Sequence, residues 1–71
     1  ELSRREIEVL REIARGRGNR EIGKNLFISE KTVKNYATNV FRKLEVKDRV
    51  QATIFAIEND VESYYKENYK D

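Results

Sequence analysis

Between Asn19 and Thr38 the apolar and small residues fall where two short helices meeting at a steep angle would need them. Ile22, Gly23, Leu26, Ile28, Val33 and Tyr36 point into the corner between such helices, and Lys31, Lys34, Asn35 and Thr38 remain on the outer face of the second. Leu26-Phe27-Ile28-Ser29 is the connection. Apolar residues followed at once by a capping serine imply a tight turn tucked against a core.

The rest of the chain reads as further helices with short connections, without Pro or an alternating strand pattern. Ser3 and Glu6 form an S-x-x-E capping box at the start of the first helix. Ile7, Leu10, Ile13 and Ala14 make its buried stripe with Val9 on the flank, and Gly16 and Gly18 end it. The second helix is predicted over Arg20 to Asn25 with Asn19 as its cap. Ser29 caps the third, which runs to about Leu44 and buries Val33, Tyr36, Ala37, Val40 and Leu44, with Phe41 closing the stripe. Asp48 and Gln51 open a fourth helix over about Arg49 to Glu58. The predicted class is all-α, one four-helix helix-turn-helix domain.

At 71 residues only one small core is possible, and such a domain hides roughly 60% of its unfolded surface. Cys and His are both absent, which removes disulfides, thiolate nucleophiles, zinc knuckles and acid–base chemistry near neutral pH. These absences argue against an enzyme, and no metal, cofactor or small-molecule ligand is expected. No apolar run is long enough to span a bilayer and no secretory signal is evident, so a soluble cytoplasmic protein with no membrane partner is expected. Glu1 stands where an initiator Met would, so a chain cut from something longer or trimmed at its start is expected.

The net charge of +2 hides an asymmetry. Residues 1–49 hold 13 Lys and Arg against 8 Asp and Glu, a net of +5, whereas residues 50–71 hold 2 against 5, a net of −3. An anionic polymer facing the first two-thirds of the chain would account for the split, as would ordinary scatter of surface charge. The outer face of the third helix is more specific. It is cationic at its start and hydrogen-bonding along its length, as major-groove reading requires.

Several separate blocks carry a family resemblance. They are Leu2-Ser3-Arg4-Arg5-Glu6-Ile7-Glu8-Val9-Leu10, Asn19-Arg20-Glu21-Ile22-Gly23, Leu26-Phe27-Ile28-Ser29-Glu30-Lys31-Thr32-Val33-Lys34-Asn35, and Arg42-Lys43-Leu44-Glu45-Val46-Lys47-Asp48-Arg49-Val50-Gln51-Ala52. In these, residues 1–58 resemble the C-terminal DNA-binding domain of LuxR-type regulators, the group that includes GerE and the NarL-type response regulators of two-component systems. The resemblance implies a four-helix domain that binds double-stranded promoter DNA through its third helix and pairs as a homodimer through its fourth. It implies base reading by Lys34, Asn35 and Thr38. Chemistry agrees: Lys34 can donate to guanine O6 and N7, Asn35 can donate and accept as adenine requires, and Thr38 offers a hydroxyl or a methyl. Phosphate contacts fall to Asn19, Arg20, Ser29, Lys31, Thr32 and Lys43, although capping alone would explain Asn19 and Ser29, and solvated surface charge would explain Lys31 and Lys43.

The chain departs from the family pattern at Thr38, where relatives often have a longer side chain, at Tyr36, where His is frequent, and at Glu45, where many carry Gly. A left-handed Glu45 would cost roughly 1 kcal/mol, unless the turn takes another shape.

The fourth helix has two apolar faces. Ala52, Phe55 and Ala56 are assigned to the core, and Val50, Ile54 and Ile57, with Val61 alongside, form an outer face whose first three residues are the expected dimer seam. Residues 59–71 lie outside the resemblance. They read as a continuation of the fourth helix, with Tyr64 and Tyr65 prolonging the outer stripe, or as a frayed tail. The second functional reading is a protein-interaction module that docks through the same outer face on RNA polymerase or a receiver domain.

Overall fold

The computed structural model describes residues 1–69, which form five helices: α1 (Arg4–Ala14), α2 (Asn19–Leu26), α3 (Glu30–Leu44), α4 (Arg49–Glu58) and α5 (Val61–Tyr69). No strand occurs among the described residues. The local signals set most boundaries. Ser3 Oγ accepts from the Glu6 N–H while a Glu6 carboxylate oxygen accepts from the Ser3 N–H, so the capping box closes in both directions. Ser29 Oγ accepts from the Thr32 N–H at 3.0 Å and Asp48 Oδ1 from the Gln51 N–H at 2.9 Å. The Gln51 side chain takes the Lys47 N–H instead of completing a box with Asp48.

α1 packs against all four other helices. Ile7 and Leu10 join Val40, Ala52, Ala56 and Val61 in one buried cluster. Val9 and Ile13 join Ile22, Val33 and Ala37 in a second, and Phe41 packs against both. Val9 is therefore a fully buried member of a core and not a flanking residue. The second cluster is the corner between α2 and α3. Leu26, Ile28 and Tyr36 pack half-buried around it, and the carbonyl of Ile28 approaches Gly23 so closely that a Cβ there would stand 2.6 Å from the oxygen.

Two expectations need correction, and one open alternative, at Glu45, is resolved. Asn19 is the first residue of α2 and not its cap: Gly18 takes the capping position without a side-chain hydrogen bond, and Asn19 Oδ1 is buried with no hydrogen-bond partner among the described residues. Glu45 does adopt the left-handed conformation, with φ 58° and ψ 40°, so the turn after α3 keeps its shape and bears the steric cost of a Cβ. Finally, α4 is not continued. The chain turns at Asn59 and Asp60, the latter at φ 50°, and α5 folds back on α1 and α4. Val61 consequently enters the core and leaves the outer face of α4. Residues 70 and 71 of the expected extension lie outside the described residues.

Side-chain chemistry fastens α5 to α1. Arg11 grips Glu62 bidentately, Nε to Oε1 at 3.2 Å and Nη2 to Oε2 at 2.7 Å, and Arg15 Nη2 reaches Oε2 at 2.8 Å. The Arg11 guanidinium also lies 4.0 Å from the centre of the Tyr65 ring, whose hydroxyl donates to Glu8 at 2.9 Å. The hydrogen bond from Arg11, opposed by partial burial and helped by the charges of Arg11 and Arg15, holds the Glu62 carboxyl below its ordinary value of 4.5.

Two stability measurements follow. Glu45→Gly should leave stability unchanged or raise it by up to about 0.5 kcal/mol, the relief of roughly 1 kcal/mol of left-handed strain less about 0.5–1 kcal/mol for the added entropy of an unfolded glycine; a clearly lower melting temperature would contradict the strain. Because the folded carboxyl of Glu62 is depressed, its contribution is complete above the ordinary value of 4.5 and is lost as pH falls through the folded value. Melting curves from neutral pH into acid should show Glu62→Gln less stable than wild type at neutral pH, with a shallower acid decline.

Candidate nucleic-acid interface

α3 is 15 residues long and presents two contrasting sides. Val33, Ala37 and Val40 are buried against the core, while Lys31, Lys34, Asn35 and Thr38 are exposed on the other side. No side-chain hydrogen bond or ion pair among the described residues engages Lys34, Asn35 or Thr38. A cation and a carboxamide in one turn and a hydroxyl in the next are thus presented outward with their donors and acceptors unspent. That combination matches the mixed donor and acceptor edges of base pairs in a major groove.

The start of α3 supplies a different chemistry. Ser29 caps it and also donates its hydroxyl hydrogen to Thr32 Oγ1 at 2.9 Å, so both hydroxyls are fixed at the helix N-terminus. The first backbone N–H groups of a helix have no intrahelical acceptor and carry partial positive charge, which suits a phosphate oxygen. Lys31 adds a full charge there, and Glu30 beside it offsets part of it. On α2, Arg20 is exposed and Asn19 half-buried. Of the residues the sequence singled out on α2 and in the first three turns of α3, Arg20, Ser29, Lys31, Lys34, Asn35 and Thr38 are exposed, and Asn19 and Thr32 half-buried.

Lys43 stands apart from that group. Its Nζ lies 3.0 Å from Oε1 of Glu6, a carboxylate almost wholly buried at the start of α1. Burial pushes the Glu6 carboxyl up, but the Ser3 N–H and the Lys43 ammonium outweigh it and leave the group below its ordinary value of 4.5. At about 100° per residue, Lys43 falls roughly 180° around α3 from Lys34. Its ion pair ties the end of α3 to the capping box of α1.

Sequence reasoning passed over two features that bear on the site. Glu12 is a buried carboxylate that accepts from Arg17 Nη1 and Asn25 Nδ2, both at 2.8 Å, so it clamps the loop before α2 and the end of α2 to α1. Arg49 Nη2 donates to the Arg17 carbonyl at 3.1 Å and brings the start of α4 into the same cluster. Arg42 is the other omission. It is exposed on the side of α3 that carries Asn35 and Thr38, and spacing of four from Thr38 was the available signal.

Comparison with known proteins settles the family. The family described as "Bacterial regulatory proteins, luxR family" matches residues 1–56. This chain belongs to the LuxR family of bacterial regulatory proteins. It is 58% identical over 57 residues to the uncharacterized transcriptional regulatory protein YhcZ of Bacillus subtilis, a match that covers 80% of this chain and 27% of YhcZ. It is 52% identical over 58 residues to the transcriptional regulatory protein LiaR of the same organism, covering 82% of this chain and 28% of LiaR. It is 45% identical over 60 residues to the response regulator protein VraR of Staphylococcus aureus, covering 84% of this chain and 29% of VraR. The chain thus spans less than a third of the length of these relatives. What it spans is the DNA-binding domain of a LuxR-family transcriptional regulator. No helix among its described residues is long and apolar enough to cross a membrane.

Proposed function

We propose that this LuxR-family domain binds promoter DNA by laying the first turns of α3 in the major groove, and that two copies pair through α4. Lys34, Asn35 and Thr38 read base edges, and each good contact discriminates by about 1–3 kcal/mol. Asn19, Arg20, Ser29, Lys31 and Thr32, with the first amides of α3, hold the flanking phosphates and set register. Oδ1 of Asn19 is an acceptor, so a phosphate contact from this residue would use its Nδ2. Lys43, whose ammonium is taken by Glu6, is left out of this set. The observation that carries the reading is the exposed, unengaged polar face of α3 beside a capped helix N-terminus.

The seam rests on a separate observation. Ala52 and Ala56 are buried and Phe55 packs on the core, whereas Val50 is 67%, Ile54 49% and Ile57 65% exposed on the other side of α4. Three large apolar residues on one exposed helix face would be covered by the same face of a second copy. The same face would also suit docking on RNA polymerase or a receiver domain, which would leave Lys34, Asn35 and Thr38 without a DNA role.

Fluorescence anisotropy of a promoter-fragment library at two salt concentrations separates these readings. Wild type should bind selectively and more weakly as salt rises, and Lys34→Ala should keep salt-dependent binding while losing preference at one base position. Weak binding of every fragment, unchanged by the substitution, would support protein docking instead. For the seam, Ile54→Glu should leave a folded monomer in sedimentation, and an unchanged dimer would rule the seam out.

A further inference from the structure

We infer that Arg42, held in position by Asn39, is a phosphate contact at the C-terminal end of α3; the inference rests on the DNA-reading face proposed above. Arg42 falls about 20° from Asn35 and about 40° from Thr38 around the helix, at 100° per residue, and so continues their stripe. It lies roughly 16 Å along the axis from Lys31, more than the about 12 Å width of the major groove. A helix that reads bases with its N-terminal half carries its last turns out beside the sugar–phosphate backbone, as the reading helix of a homeodomain does. Arg42 stands where that backbone would pass.

The side chain is also prepared for such a contact. Its Nη2 donates to Asn39 Oδ1 at 2.9 Å, and Asn39 is itself half-buried on α3. A guanidinium has several further N–H donors in a fixed fork, and the Asn39 bond restrains its direction without neutralising its charge. Among the described residues Arg42 enters no ion pair, in contrast to Lys43, its neighbour in sequence, which is bound to Glu6. The two adjacent cations have different duties. Arg42 serves the DNA, Lys43 the fold, and Asn39 is a positioning residue for Arg42.

The test is anisotropy with a fluorescently labelled short duplex of mixed sequence, titrated with salt, combined with thermal melting. Arg42→Ala should make the plot of log affinity against log salt shallower by about one unit and weaken binding roughly three- to tenfold near 0.1 M salt, with the melting temperature unchanged. Arg42→Lys should restore most of the slope, and Asn39→Ala should weaken binding less than Arg42→Ala does. Lys43→Met should lower the melting temperature and leave the slope almost as in wild type. An unchanged slope in Arg42→Ala, in a wild-type background that binds with salt dependence and loses selectivity in Lys34→Ala, would overturn the inference and spare the DNA-reading face. A slope reduced by Lys43→Met as much as by Arg42→Ala, without loss of stability, would overturn the division of duties. Wild type that binds the duplex without salt dependence would overturn both the inference and the reading beneath it.

Discussion

α1 is buried on two sides and packs against every other helix, while α2 is seated chiefly on α3. Ile7 and Leu10 face the cluster completed by α4 and α5, and Val9 and Ile13 face the corner formed by α2 and α3. The corner formed by α2 and α3 and the helix α4 are therefore fastened to two adjoining faces of one helix, about 110° apart at 100° per residue. The dependence is costly in a chain this small. Truncating a buried Leu or Ile to Ala removes about 2–5 kcal/mol, while a whole domain is stable by only about 5–15 kcal/mol. The residues of the exposed α3 face make no contribution to either cluster. Substitutions on that face therefore leave the two clusters that hold the frame intact.

Ion pairing gives the charge asymmetry a location. Arg4 and Arg5 are paired with Glu8, Arg11 and Arg15 with Glu62, Arg17 with Glu12, and Lys43 with Glu6. Arg20, Lys24, Lys31, Lys34 and Arg42 enter no ion pair among the described residues. The basic residues of α1 are thus paired with carboxylates of α1 itself and of α5, and the cations that enter no ion pair among the described residues lie on α2, on α3 and, as Lys47 and Arg49, around the start of α4. The acidic last third of the chain has a structural part in this. Glu62 draws off two arginines, Arg11 and Arg15, where α5 meets α1.

The sequence made some of this legible and not the rest, for physical reasons. Ser3 with Glu6, Ser29, and Asp48 announce helix starts because capping is short-range chemistry between residues three apart, and α3 and α4 run as expected from them. The apolar periodicity likewise sorted Ala52 and Ala56 from Val50, Ile54 and Ile57. Asn19 misled, since a residue type that favours caps sits one position inside the helix. The reversal before α5 was invisible because neither Gly nor Pro marks it, and Asp60 takes the left-handed position without them. The pairings of Lys43 with Glu6 and of Glu62 with Arg11 join residues far apart in the chain, which no local pattern encodes. The α3 face was read from helical spacing together with the family resemblance; Arg42 lay on the same stripe and was overlooked, and Lys43, assigned to phosphate through the resemblance, lies about 180° around the helix from Lys34 and pairs with Glu6.

The central claim, that the outer face of α3 is the surface that meets DNA, is tested most directly by backbone amide chemical-shift mapping of the isotopically labelled domain titrated with a short promoter duplex. The account predicts shifts concentrated between Ser29 and Thr38 and at the start of α2, with Val50, Ile54 and Ile57 little affected at a fixed oligomeric state. Shifts confined to α4 and α5, with α3 undisturbed, would contradict it.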